Sequence, residues 1–273
     1  MAAVAELVVR TDAHEGPVFV REENALYFTT SRPRVDIRRL DLDALDVETV
    51  RPDANSANGM TLGPDGELVV CEQGTLTRPA AITRVSRADG TADVVVDGWQ
   101  GTPLNSPNDV VVTSDRAVWF TDPGYGHLQG FRPRPRLPDA VYRLDPRTGE
   151  LTRVAEGFDK PNGLAFSPGE SILYVGDSER CHVKAFDVAR DGGLGGERVV
   201  AAIADGYPDG LKVDRAGRIY TTSAAGVLVL SPDGTPQREI RVPGAVNFAF
   251  AGRDDDVLLI TADDAIWAAP IDH

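Results

Sequence analysis

Residues 107–122 read PNDVVVTSDRAVWFTD. A polar pair, Asn108 and Asp109, follows a proline. Three valines, a turn-forming TSDR and a β-rich run then carry the chain to Asp122. Valine, tryptophan and phenylalanine in short runs broken by a tight turn read as a hairpin of two strands. A buried strand has no use for an amide and a carboxylate at its start unless that end faces something polar.

The same pattern occurs six times. Its other copies are HEGPVFVREENALYFTT from His14, ANGMTLGPDGELVVCE from Ala57, PNGLAFSPGESILYVGD from Pro161, PDGLKVDRAGRIYTTS from Pro208 and VNFAFAGRDDDVLLITA from Val246. Each copy has a carboxylate or amide at its second position: Glu15, Asn58, Asn108, Asn162, Asp209 and Asn247. Ten or eleven residues later comes an aliphatic residue of the second strand: Leu26, Leu68, Val118, Leu173, Ile219 and Leu258. Subtracting successive polar positions gives intervals of 43, 50, 54, 47 and 38 residues, the period of a propeller blade of four strands. The intervening segments supply the outer pair of strands, most clearly AVYRLDPRTGELTRVAEG at 140–157, with 81–98 and 226–242 built alike.

The expected fold is therefore all-β: a six-bladed β-propeller of four-stranded antiparallel blades, occupying residues 1–273 as a single domain. The sixth blade lacks room for a fourth strand after AIWAAPIDH, and AELVVR at 5–10 supplies it, closing the ring by pairing the two terminal strands. Closure removes an edge that would otherwise invite aggregation. A β-sandwich is the alternative, but it has no reason to repeat one polar residue at one register.

Composition agrees. The 273 residues include 27 Gly and 19 Pro, without a long run of helical periodicity, which favours short strands and tight turns. A net charge of −14 argues against nucleic acid and anionic membranes as partners. Cys71 and Cys181, the two cysteines, read as reduced thiols of a cytoplasmic protein. The N-terminal stretch has no signal-peptide pattern, and no segment reaches the apolar length of a membrane-spanning helix.

In a propeller, a residue fixed relative to the start of each first strand falls on a ring about the axis. Glu15 and Asn247, 232 positions apart in the chain, are thus expected to converge with Asn58, Asn108, Asn162 and Asp209. Such a ring offers only oxygen and amide groups, a donor set for hard cations such as Ca²⁺, Mg²⁺ or Mn²⁺. Water or an amide–carboxylate hydrogen-bond network is the metal-free alternative.

With EGP near the start, LNSPNDVVV, WFTDPGYG, KPNGLAFSP and YPDGLKVD, residues 14–265 resemble the gluconolactonase, senescence-marker-protein and luciferin-regenerating-enzyme superfamily. The resemblance implies a six-bladed propeller with one divalent cation at the channel mouth and hydrolysis of a sugar-type lactone to its hydroxy acid. It makes Glu15, Asn162 and Asp209 the metal ligands, Asp209 also the general base, and Asn108 a residue approaching metal or substrate. Calcium heads the candidate cations, before magnesium, manganese and zinc. The chain departs from the superfamily pattern at Glu72-Gln73-Gly74, where relatives often have Glu-His and glycines, and at Thr102-Pro103, where they often have a basic residue. Both segments belong to the substrate end.

Asn58, Asn108, Glu72 and Tyr125 are the expected substrate contacts. Tyr125 opens the Pro- and Arg-rich segment 122–143, read as a lid that also brings His127, Arg132 and Arg134 near the substrate, or else as a plain surface loop. Strand alternation turns His14 away from Glu15 and gives it a structural role. The expected partner is a small lactone, and the protein a monomer or weak homo-oligomer. Two competing functions are a non-enzymatic binding propeller and a relative that performs isomerisation or condensation in secondary metabolism.

Overall fold

The structure, a computed structural model, describes residues 4–271 of the 273. Six four-stranded antiparallel sheets form a ring. Their inner strands are Glu15–Val20, Ala57–Leu62, Val110–Val112, Pro161–Phe166, Leu211–Val213 and Asn247–Ala251. Five sheets run outward in simple chain order. In the sixth, Asn247–Ala251, Val257–Thr261 and Asp263–Pro270 are followed by Glu6–Ala13, with Leu7 opposite Trp267 and Val9 opposite Ile266. The ring closes between the two ends of the chain, as expected.

Each hairpin between first and second strand turns on a left-handed residue: Asn24, Gly66, Arg116, Glu170, Gly217 and Asp255. Glycine adopts that conformation freely, and the polar side chains that replace it tolerate it at some cost. This explains why GPDGE and DRAGR have looser counterparts such as TSDRA.

The core is divided. Six hydrophobic clusters lie one at each blade interface. Val18, Tyr27 and Ile37 of the first blade meet Met60, Leu68 and Val85 of the second. Leu26, Phe28 and Leu40 pack on the opposite side against Ala249, Leu259 and Ile266 of the sixth. Period-2 alternation thus feeds apolar side chains to both faces of every sheet. The outermost strand of the first blade, Asp46–Arg51, has no buried residue.

One piece was not anticipated. Gly98–Trp99 and Thr102–Pro103 form a two-stranded ribbon outside the blades. It carries Thr102, and Trp99 lies edge-on to Tyr142 with ring centroids 6.1 Å apart.

Candidate active site

The starts of the inner strands surround a cavity of about 800 Å³. Glu15, Asn58, Asn108, Asn162 and Asp209 line it. Asn247, the sixth polar position, stands behind Glu15. Its Nδ2 donates to Glu15 Oε2 at 2.8 Å, and its Oδ1 accepts from the Phe248 amide at 2.8 Å. Convergence from six repeats is thus a property of the structure.

A glycine follows the polar residue in four of the copies: Gly16, Gly59, Gly163 and Gly210. At these glycines neighbouring blades touch. The Gly59 amide donates to the Asn108 carbonyl at 2.8 Å, and Gly163 donates to that of Asp209 at 3.0 Å. A Cβ on Gly59 would lie 2.5 Å from the Asn108 oxygen, closer than packed atoms approach. The second strands complete the belt, since Thr29 Oγ1 donates to the Asn58 carbonyl and Thr121 Oγ1 to that of Asn162. Each polar side chain therefore sits on a backbone held by the adjacent blade.

The third copy has Asp109 where glycine would stand. Its Oδ1 accepts from the Val110 amide at 2.9 Å. Its Oδ2 is buried without a hydrogen bond, 3.6 Å from Lys212 Nζ of the fifth blade. Asp109 also faces Glu15 and Asp209 closely enough to raise both their pKa values.

Glu15 and Asp209 lie within interaction range of one another, and Asp209 of Asn162 as well. Burial, then Asp209, pushes Glu15 up to about 8. Burial likewise raises Asp209, with His14, Asn162 and Glu15 pulling the other way. Two carboxyls so placed hold a proton or need a cation. His14 lines the cavity beside them, its Nδ1 2.7 Å from Asp263 Oδ1. Burial lowers its pKa, but the Asp263 hydrogen bond and the charges of Glu15, Asp263 and Asp209 outweigh this and raise it. The alternation argument failed for His14 because it lies between strands, after Ala13 and before Glu15, and the left-handed Gly16 breaks the register that follows.

The amide orientations bear on what this site can hold. Asn162 Nδ2 donates to Ser178 Oγ at 3.1 Å and Tyr125 Oη at 3.3 Å. Asn58 Nδ2 donates to the Asn108 carbonyl at 3.1 Å. Asn108 Oδ1 is buried and has no hydrogen-bond partner. Two carboxyls beside side-chain amides are a donor set suited to a hard divalent cation. Among the described residues no cluster of three His, Cys, Asp or Glu side chains is placed to bind one, so amide oxygens would have to complete the set.

Residues 13–264 match the model of the SMP-30/gluconolactonase/LRE-like region. The chain belongs to this family. It is 32% identical to a gluconolactonase of Zymomonas mobilis over 245 residues, 81% of this chain and 67% of the relative. It is 28% identical to the lactonohydrolase oryL of Aspergillus oryzae, over 90% of this chain and 65% of the relative. The chain thus spans about two thirds of the length of these two relatives. Among solved structures, a gluconolactonase of Xanthomonas campestris superposes with a TM-score of 0.88 at 36% identity, covering 99% of this chain and 90% of that one.

Against the pattern of the SMP-30/gluconolactonase/LRE-like family, the remaining expected contacts separate. Tyr125 lines the cavity from a short helix, Tyr125–Leu128. Glu72 does not line it. On the second strand, opposite Ala57, Glu72 is buried and accepts from Asn55 Nδ2 at 2.8 Å and Thr83 Oγ1 at 3.0 Å, with Arg51 at 3.0 Å. Its acceptor capacity is spent inside the blade. Gln73, next in the chain, reaches the cavity instead.

Segment 122–143 is clasped rather than free. Asp122 accepts from the Asn105 and Ser106 amides, and buried Arg132 donates to the carbonyls of Thr75, Arg78, Leu104 and Asn105. Arg132 is a structural pin, and His127 and Arg134 are exposed outside the cavity lining. The wall also includes Arg32, Glu179, Cys181, Tyr207 and Asp263, none of them expected there. Four come from connections and Asp263 from the start of the strand Asp263–Pro270, where the register of the inner strands does not mark them. Cys71 and Cys181 are both free thiols.

Proposed function

We propose that this protein hydrolyses a lactone to its hydroxy acid, with one divalent cation held by Glu15, Asn162 and Asp209. The observation that carries the reading is the meeting of these three side chains, from three different blades, at one cavity wall. The lactone-cleaving relatives support the reaction class. A bound cation would supply Lewis-acid polarisation of the lactone carbonyl.

The chain's own groups account for the rest. Asp209 takes a proton from the water that attacks the acyl carbon. As the ring C–O bond breaks, the same proton goes to the departing ring oxygen, giving a hydroxyl and a carboxylic acid, and the acid then loses the second water proton to solvent as the carboxylate. Asn58 and Asn108 present neutral amides to substrate hydroxyls and hold the ring without adding charge. Asn247 fixes Glu15 through its 2.8 Å hydrogen bond, and Tyr125 and Ser178 fix the Asn162 amide. His14, oriented by Asp263, offsets part of the negative charge. Calcium is the first candidate, because a mixed set of carboxylate and amide oxygens is its usual surrounding.

The test is a panel of aldonolactones incubated with chelated protein and then with Ca²⁺, Mg²⁺, Mn²⁺ or Zn²⁺ in turn, acid release being followed in a pH-stat. Hydrolysis should depend on added cation and disappear in Asp209→Asn. Cleavage indifferent to chelation, or no cleavage with any cation, would overturn the reading.

A further inference from the structure

Arg32 stands out among the cavity residues. It sits in the connection between Ala25–Thr29 and Ile37–Asp41, and its guanidinium lies on the wall of the cavity. Nη1 donates to Ser56 Oγ at 3.0 Å and Nη2 to Gln73 Oε1 at 2.6 Å. The Phe131 ring lies flat against it, 3.0 Å from Cζ to the centroid. Both acceptors are neutral, and among the described residues no carboxylate pairs with it. Buried Arg132 also has no acid partner, but its donors are spent on four backbone carbonyls outside the cavity lining. Arg51, Arg143 and Arg218, each buried to a similar or greater degree, are all paired with acids. Burial alone holds Arg32 down to about 10, so the fold places a positive charge here without neutralising it.

Arg32, Gln73 and Asn58 come from the first two blades, with Phe131 of the third packed behind the guanidinium. Of the cavity's carboxylates, Glu179 and Asp209 come from the fourth and fifth blades, across the ring, whereas Glu15 shares the first blade with Arg32 and Asp263 belongs to the adjoining sixth. We propose that Arg32 is a specificity-determining residue that receives an anionic substituent of the substrate, a carboxylate, sulfonate or phosphate on the carbon chain away from the lactone carbonyl. Gln73, Ser56 and Phe131 hold the fork in one plane, which suits two-pronged recognition of a planar or tetrahedral oxyanion. Glu179 and Asp209, on the far side of the ring, repel the same group and favour entry with the lactone carbonyl toward Glu15, Asn162 and Asp209. The inference rests on the lactonase reading for the word substrate, and its test includes an arm that does not.

Two lactones separate the outcomes: glucono-δ-lactone, which is neutral, and glucaro-1,4-lactone, which carries a second carboxylate. With saturating cation, Arg32→Met should raise KM for the charged lactone about 10- to 100-fold, the range of one charge-assisted pair. It should leave the neutral lactone within about 3-fold. Arg32→Lys, which keeps the charge and loses the fork, should fall between. Binding of glucarate and of gluconate, measured by calorimetry, provides the arm without turnover. Wild type should prefer glucarate, and Arg32→Met should abolish the preference. Equal losses on both lactones, or unchanged glucarate binding in Arg32→Met, would overturn the assignment. Failure of wild type to cleave either lactone would sink the proposed reaction, and the glucarate arm would then decide the role of Arg32 by itself.

Discussion

Lys212 Nζ stands 3.6 Å from Asp109 Oδ2, and this oxygen has no other partner. The pair joins the third blade to the fifth across the ring and balances a carboxylate placed close to Glu15 and Asp209. Removing one member of a buried pair leaves an uncompensated charge, at a cost on the order of 3 kcal/mol. Lys212→Met should therefore lower the unfolding free energy by about that amount. Adding Asp109→Asn should restore most of it, because the charge is then gone. Urea titrations of the two single variants and the double variant, at fixed cation concentration, measure the coupling; additive losses would contradict it.

The Glu15–Asp209 pair makes stability depend on pH in a stated direction. Both folded pKa values lie above their ordinary ones, with Glu15 moving from 4.5 to about 8. The folded state therefore holds protons that the unfolded chain releases. The sign follows: the contribution is complete below about pH 4 and is lost as pH rises through the folded values, toward about 8. In chelator, the melting temperature should fall across this window. Added Ca²⁺ should flatten the fall, and Glu15→Gln should remove much of it. Cation binding at pH 7 should release protons, visible as a binding heat that varies with the ionisation enthalpy of the buffer. A heat independent of buffer would count against a shared proton at this site.

Asn247 and Asp209 occupy the same register but should fail differently. Asn247 only supports Glu15, so Asn247→Ala should weaken cation affinity while high cation concentration restores turnover. Asp209→Ala should lose about 10²- to 10⁴-fold in kcat even at saturation, the usual worth of a positioned base. Turnover measured against cation concentration for both variants distinguishes them, and parallel curves would be the wrong result.

Gly59 and Gly169 offer a matched pair. A Cβ at Gly59 meets the Asn108 carbonyl and the Asp109 carboxylate at 2.5 Å, whereas at Gly169 it meets nothing within 4 Å. Gly59→Ala should cost about 1–3 kcal/mol through overpacking and reduce activity by displacing Asn108. Gly169→Ala should be neutral or slightly stabilising through the unfolded chain. Thermal melts of both variants check the contrast.

How much of this was legible in the sequence depends on where each residue lies in the repeat. Residues at the start of an inner strand share a register, so Glu15, Asn162 and Asp209 could be placed together before any coordinates. The six-blade count and the closing strand at 5–10 followed from the same period. Arg32 and Cys181 lie in connections and Asp263 at the start of a third strand, away from the shared register of the inner strands, and nothing periodic marks them. His14 was misjudged because alternation holds within a strand, and His14 sits between two. Glu72 has the chemistry of a binding residue, yet the second strand carries it to Arg51, Asn55 and Thr83. Side-chain type alone does not reveal which neighbour consumes it.

Ring closure by Glu6–Ala13 against Asp263–Pro270 also sets the order of events during synthesis. The cavity wall takes His14 from the first turn of the circle and Asp263 from the last. A ribosome that has translated five blades has produced most of the fold's mass but only an open arc, with Glu15 lacking Asn247 and His14 lacking Asp263. The cavity wall is therefore complete only when the sixth blade is in place against the first.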